Sequence, residues 1–216
     1  LSGVIPFNFT VDEPFARKHN EFFRDSRRFQ WSAGLMGATM VAAAVVLFVV
    51  VDAGWAVIVG IAASIMALIC FVMVPVFPRQ LGSPQQYYDA YDLAPTVIAQ
   101  VNPRDVVLMA LVDTAATDTA SSRPALALRT VTSIPGVERT VGERVPAMAV
   151  TGMRSVGHQD HWEQVSPMPV AWGTQDRSVV AAAEKAIPES EWARLESLID
   201  RLQDVQKTRN LLLELD

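Results

Sequence analysis

Cysteine is nearly missing from this 216-residue chain, where Cys70 stands alone. That excludes a disulfide framework and a zinc or iron–sulfur site built on cysteine pairs. Charge is scarce as well, and unevenly so. Charged residues make up 19% of the chain, against about a quarter in an average soluble domain. Between Phe29 and Phe77, a stretch of 49 residues, Asp52 is the single charge. The glycines Gly136, Gly142, Gly152 and Gly157 are scattered and match no phosphate-binding fingerprint, and no Gly-x-Ser-x-Gly elbow occurs. A net charge of −5 leaves no basic excess for a general nucleic-acid binder. The mean hydropathy of +0.23 is owed to the charge-poor stretch. The polar pieces on either side, 1–28 and 78–216, have ordinary composition.

Two apolar runs fill that stretch, Trp31–Val51 and Ala53–Phe77. A helix rises about 1.5 Å per residue, so about 20 apolar residues cross a hydrocarbon core of roughly 30 Å. Each run is long enough. Asp52-Ala53-Gly54 separates them with a charge and a glycine, which predicts two antiparallel membrane helices joined by a short turn. The first run does not read as a cleavable signal, because 28 residues of polar character precede it and a second span follows. Arg17, Lys18, Arg24, Arg27 and Arg28 precede the first span, the turn has no Lys or Arg, and Arg79 follows the second. Cytoplasmic flanks carry the Lys/Arg excess, so both termini are expected in the cytoplasm and Asp52 outside. Arg24, Arg27, Arg28, Trp31, Trp55 and Arg79 are the expected residues of the membrane interface.

Small residues recur every four positions in both runs, as Gly34, Ala38 and Ala42 and as Ala56, Gly60 and Ser64. This predicts close packing of the two helices along those stripes. Neither run contains an ionisable group that an ion or proton pathway would need, so the hairpin reads as an anchor or docking element.

Outside the spans, Phe15, Phe22, Phe23 and Phe29 among basic residues suggest a short helix at headgroup level, and the chain up to Val11 reads as extended. Ser83-Pro84 opens a short helix, and Pro95–Val101 reads as another helical piece. Strands are expected at Val106–Val112, Leu126–Ser133, Val145–Thr151 and Val170–Trp172. A helix follows over Asp176–Ala186, and a last amphipathic helix from Pro188 carries Trp192, Leu195, Leu198, Ile199, Leu202 and Val205 on one stripe. Leu211–Leu213 reads as a helix end, a strand or a docking tail. The expected architecture is a membrane α-helical hairpin followed by a small α+β cytoplasmic domain with a mainly antiparallel sheet. Its segments are an N-terminal piece 1–28, the hairpin 29–78, a helical connector 79–103 and the α+β domain 104–216.

The search for chemistry returns little. His158, Asp160 and His161 sit in a loop-like segment without a further ligand nearby, and read as an exposed polar turn. Trp162, Trp172 and Trp192 read as core, with a ligand pocket as the other use of such residues. No catalytic, cofactor-binding or metal-binding residue is assigned, no cofactor is expected, and the chain does not read as an enzyme.

Four phrases carry a resemblance: Val101-Asn102-Pro103-Arg104; Arg139 through Pro146; Ser166 through Thr174; and Ile187 through Trp192. With a preceding two-span hairpin, they resemble an actinobacterial family of membrane proteins of unknown function, with members in Corynebacterium. Fifteen Arg against three Lys fits a high-GC genome. The chain is also similar to an accessory subunit of the respiratory cytochrome bcc–aa3 supercomplex. The resemblance covers most of the chain beyond residue 10 and brings no catalytic residue with it. It implies a non-catalytic accessory subunit in the plasma membrane, with cytochrome bcc and aa3 oxidase subunits and lipid as partners and a structural or assembly role. The competing expectation is a membrane-tethered cytoplasmic sensor that holds a ligand in a tryptophan-lined pocket.

Overall fold

The computed structural model describes residues 5–116, 121–152 and 160–215, leaving out the side chains of residues 26–27 and 77–81. The chain forms two compact units. One is the stretch Glu21–Ser83, and the other joins the residues up to Asn20 with those from Pro84 onward.

The first unit is a helical hairpin, α2 (Glu21–Val49) and α3 (Gly54–Leu81). The break lies where the sequence places it, at Asp52 and Gly54. The packing seam differs from the expected stripes. From Gly54 to Val74 on α3 the buried or half-buried positions are Ala56, Gly60, Ala63, Ala67, Cys70 and Val74, with steps alternating four and three. From Gly34 to Val49 on α2 they are Gly34, Gly37, Met40, Ala44 and Leu47. Gly34, Ala56 and Gly60 therefore belong to the seam, whereas Ala38, Ala42 and Ser64 are exposed and lie off it. The reason is geometric. A strict four-residue stripe drifts around a 3.6-residue helix, while a 3.5-residue average keeps facing a partner that crosses at a small left-handed angle. Phenylalanines fill the space the glycines leave. A Cβ at Gly60 would lie 2.7 Å from the Phe48 ring, and one at Gly37 would lie 3.1 Å from the Phe71 ring.

The second unit is built on strands. Sheet one has the order β2 (Thr96–Val101), β3 (Val106–Asp113), β4 (Pro124–Val131) and β7 (Leu212–Glu214). Sheet two has the order β1 (Leu93–Ala94), β5 (Ala147–Thr151) and β6 (Val165–Pro169). All pairings are antiparallel. The register sets Ala110 opposite Ala127 and Val112 opposite Ala125, which puts these four on one face of the first sheet. That face forms a buried cluster with Ala94 and with Val165, against which Trp162 and Leu212 are packed. Alanines at these positions let the two sheets approach closely. Among the helices, α6 (Glu189–Glu196) packs on β2 and β3, with Trp192 and Leu195 fully buried.

Several expectations are corrected here. Pro95–Val101 is not helical but enters the central sheet as β2, because Thr96, Val97, Ile98 and Val101 suit a pleated surface and β3 supplies the partner edge. The segment 79–103 is therefore no connector, and 104 is not a domain boundary. Residues up to Asn20 belong to the sheet unit rather than to a separate N-terminal piece ending at 28. Phe22 through Arg28 form the first turns of α2, not a surface helix of their own; the short helix before them is α1 (Glu13–His19). Val170–Trp172 is a 3-10 turn, and the strand is the segment before it. Pro167 and Pro169 fit there because β6 is a sheet edge. The last amphipathic stripe is not one helix: α6 gives way to a 3-10 turn (Ile199–Arg201) and then to α7 (Leu202–Gln206), and the Ser197 hydroxyl donates to the Arg194 carbonyl at the break.

Leu211–Leu213 resolves as the entry to β7. Leu211 has φ 53°, and its carbonyl accepts from Leu128 N–H. A leucine held in the left-handed region costs about 1–2 kcal/mol, and asparagine tolerates it better. This side chain is 39% exposed, so little packing is lost on replacement. Leu211→Asn is expected to raise the melting temperature of the sheet unit by a few degrees, read by circular dichroism.

Candidate functional site

The hairpin surface is where the chain departs most from an ordinary soluble protein. Among the described residues, every large apolar side chain that is exposed lies between Phe29 and Met73, except Val101, Val141 and Leu211. Both helices are long and apolar enough to cross a membrane. Thr39 Oγ1 donates to the Leu35 carbonyl and Ser64 Oγ to the Gly60 carbonyl, both at 2.9 Å, so these hydroxyls bond within their own helix. These side chains therefore need neither water nor a polar partner.

Of the expected interface residues, Trp31 lies in the first half of α2 and Trp55 in the first turn of α3. Trp31 is 74% exposed and Trp55 is 59% exposed. From Trp31 to the end of α2 the helix advances roughly 27 Å, close to the thickness of a hydrocarbon core. Arg24 is half-buried and pairs with Glu21 at 3.3 Å and Asp25 at 3.8 Å. Arg28 is exposed. The side chains of Arg27 and Arg79 lie outside the described residues.

Among the described residues the sheet unit offers no comparable surface. Trp172 is fully buried, its Nε1 donating to the Ser133 carbonyl at 2.9 Å with the Arg129 guanidinium 5.2 Å from the ring centroid. Trp192 is 1% exposed, donates to the Glu184 carbonyl at 3.3 Å and lies under Arg144 at 5.1 Å. Trp162 packs on the alanine-rich cluster. Each of the three tryptophans has its own set of contacts. Among the described residues no group of His, Cys, Asp and Glu is arranged to hold a metal. His158 lies outside them. His161 Nδ1 is 3.0 Å from Asp160 and 3.3 Å from Arg123, which forms an ion pair with Asp160 at 3.1 Å.

Other polar groups explain the architecture of the unit. Arg144 joins Glu189 at 2.6 Å and Glu196 at 2.9 Å, tying the strand region to α6. Asp176 caps α5 (Arg177–Ala186), accepting from Ser178 N–H at 2.8 Å. Burial pushes the Tyr87 hydroxyl up to about 12, and the Tyr88 hydroxyl is raised by deeper burial.

Three carboxyls are held below their ordinary values: Asp160 by the His161 ring, Asp176 by Ser178 and Glu189 by Arg144. Each favours the folded state above the ordinary carboxylate range, and that contribution is lost as the pH falls through the lowered folded values. Asp92, raised by burial, acts in the opposite direction. Stability should therefore be flat near neutrality and fall below about pH 4, which urea midpoints measured across that range will read.

A family model described as "Protein of unknown function (DUF3239)" matches residues 79–203, more than half of the chain. Among curated proteins no relative matches. A crystal structure of a candidate membrane protein from Corynebacterium diphtheriae is similar at 54% identity with a TM-score of 0.55, covering 57% of this chain and 100% of its own. The chain belongs to the DUF3239 family of proteins of unknown function.

Proposed function

We propose that the chain is a membrane-anchored, non-catalytic accessory subunit, whose hairpin crosses the plasma membrane and docks on a large membrane complex. The observation that carries this reading is the concentration of exposed large apolar side chains on the hairpin among the described residues. Burying that surface in lipid or against other spans is the simplest way to satisfy it. The side of the domain follows from two supports. Residues before α2 and after α3 pack in one compact unit, so they belong on one side of the bilayer. The Lys/Arg excess on the flanks, with none in the turn, makes that side cytoplasmic.

The partner we propose is the actinobacterial cytochrome bcc–aa3 supercomplex, on the strength of the sequence resemblance, with a structural or assembly role. Trp172 and Trp192 are buried with their N–H groups bonded to backbone carbonyls, which supports a core role for them over a ligand-binding one. Tagged chain extracted from its native membrane in mild detergent is expected to carry haem-containing subunits, visible in reduced-minus-oxidised spectra and identified by mass spectrometry. Recovery of the chain alone under those conditions would overturn the docking reading.

A further inference from the structure

The hairpin divides the sheet unit's own chain in two. Ahead of it lies a strap, Ile5–Asn20, with Ile5, Phe7, Phe9 and Val11 turned inward and Pro6, Asn8 and Thr10 outward. The strap is bonded at Ile5, across Phe9–Asp12 and at Asn20 to residues that follow the hairpin. The Ile5 carbonyl accepts from Leu93 N–H at 2.9 Å, and the Asp12 N–H donates to the Gly173 carbonyl at 2.9 Å. Gln85 brackets it, with Oε1 accepting from Val11 N–H and Nε2 donating to the Phe9 carbonyl, both at 2.8 Å. The Phe9 ring meets Tyr88 edge-on at 5.1 Å. At the end of the strap Asn20 is fully buried, and its Nδ2 donates to Tyr88 Oη at 3.2 Å and Met168 Sδ at 3.1 Å.

All of these partners, on α4 (Pro84–Asp89), β1, β6 and the turn after it, come later in the chain than α3. Asn20 is the last residue before α2, and Tyr88 lies on the first helix after α3. A chain that has crossed a bilayer once has its strap on one face and these partners on the other, with roughly 30 Å of hydrocarbon between them. A chain that has crossed twice has them together.

We propose that the strap is a topology lock: it completes the sheet unit only in chains whose two helices have both inserted, and Asn20 is its catch. The lock rests on the reading that the hairpin spans the membrane. A buried asparagine amide left without its acceptors is costly, so docking tends to be all or none rather than partial.

The test compares the full chain with a variant lacking Gly54–Leu81, both in membrane vesicles, by hydrogen exchange at the Val11, Asp12 and Leu93 amides. These N–H groups donate across the strap contact and report its docking directly. In the full chain they are protected. In the single-helix variant they exchange at least about tenfold faster in vesicles, and protection returns when detergent removes the bilayer. As a second variant, Asn20→Leu in the two-helix chain speeds the same amides in vesicles and in detergent alike, since the catch is lost whatever the surroundings. Protection in the single-helix variant while it resists alkaline carbonate extraction would overturn the lock and leave the membrane reading standing. Extraction of both chains by carbonate would overturn the membrane reading, and the lock with it.

Discussion

Trp172→Ala is expected to lower the stability of the sheet unit by about 4 kcal/mol, a large part of what a domain of this size possesses. The indole is completely buried, its ring lies against the Arg129 guanidinium at 5.2 Å, and its N–H is bonded to the Ser133 carbonyl. Truncation opens a cavity, removes the ring beneath a cation and leaves a carbonyl without its donor. Each of these opposes folding. Trp172→Phe keeps much of the volume and loses the N–H, so about half the effect is expected. Urea unfolding of the full chain in mild detergent, followed by near-ultraviolet circular dichroism, separates the three proteins. The result also bears on function. A ligand pocket beside Trp172 would already hold empty volume, and the alanine variant would then unfold within about 1 kcal/mol of the parent. That outcome would restore the sensor reading.

The parts of the fold that were legible in the sequence are those governed by local pattern. The helical hairpin follows from two uncharged runs and the Asp52 break. β3 and β4 follow from apolar runs bounded by Asp105 and Asp113 and by a Ser/Thr-rich connection. The helix expected over Asp176–Ala186 is present as α5, with Asp176 as its cap rather than its first residue. What was illegible depends on partners distant in sequence. Thr96–Val101 is rich in β-branched residues that favour a strand, but the partner edge that decides it, β3, lies further along the chain. The strap residues carry no signal that their partners lie beyond two helices, since Gln85 and Gly173 are unremarkable in isolation. The helix seam illustrates a subtler limit. The sequence contains both a four-residue stripe and a 3-4 alternation of small residues, and only the crossing of the two helices selects the second. The hairpin surface was legible because absence of charge is itself a local property.

Gly173→Val is expected to cost about 3 kcal/mol and to act on the strap first. The residue has φ −93°, an ordinary backbone conformation, so the glycine is there for space alone. A Cβ at this position would lie 2.9 Å from the Phe9 ring and 2.9 Å from the Tyr88 ring. Tyr88 cannot give way, because it is 1% exposed and its hydroxyl donates to the Pro169 carbonyl at 3.1 Å while accepting from Asn20. Phe9 is only half-buried and belongs to the strap, so Phe9 must move. Overpacking of this kind costs about 1–3 kcal/mol, and loss of the Asp12–Gly173 backbone bond beside it places the cost at the upper end. Hydrogen exchange should then show faster exchange at Val11 and Asp12, while amides of the β3–β4 ladder keep their protection. Uniform loss of protection across the unit would mean that Gly173 supports the core directly rather than through the strap. The paired variant Gly173→Val with Phe9→Ala supplies the converse: removing the ring that the new side chain strikes should recover part of the lost stability, because a clash and a cavity at one place offset each other.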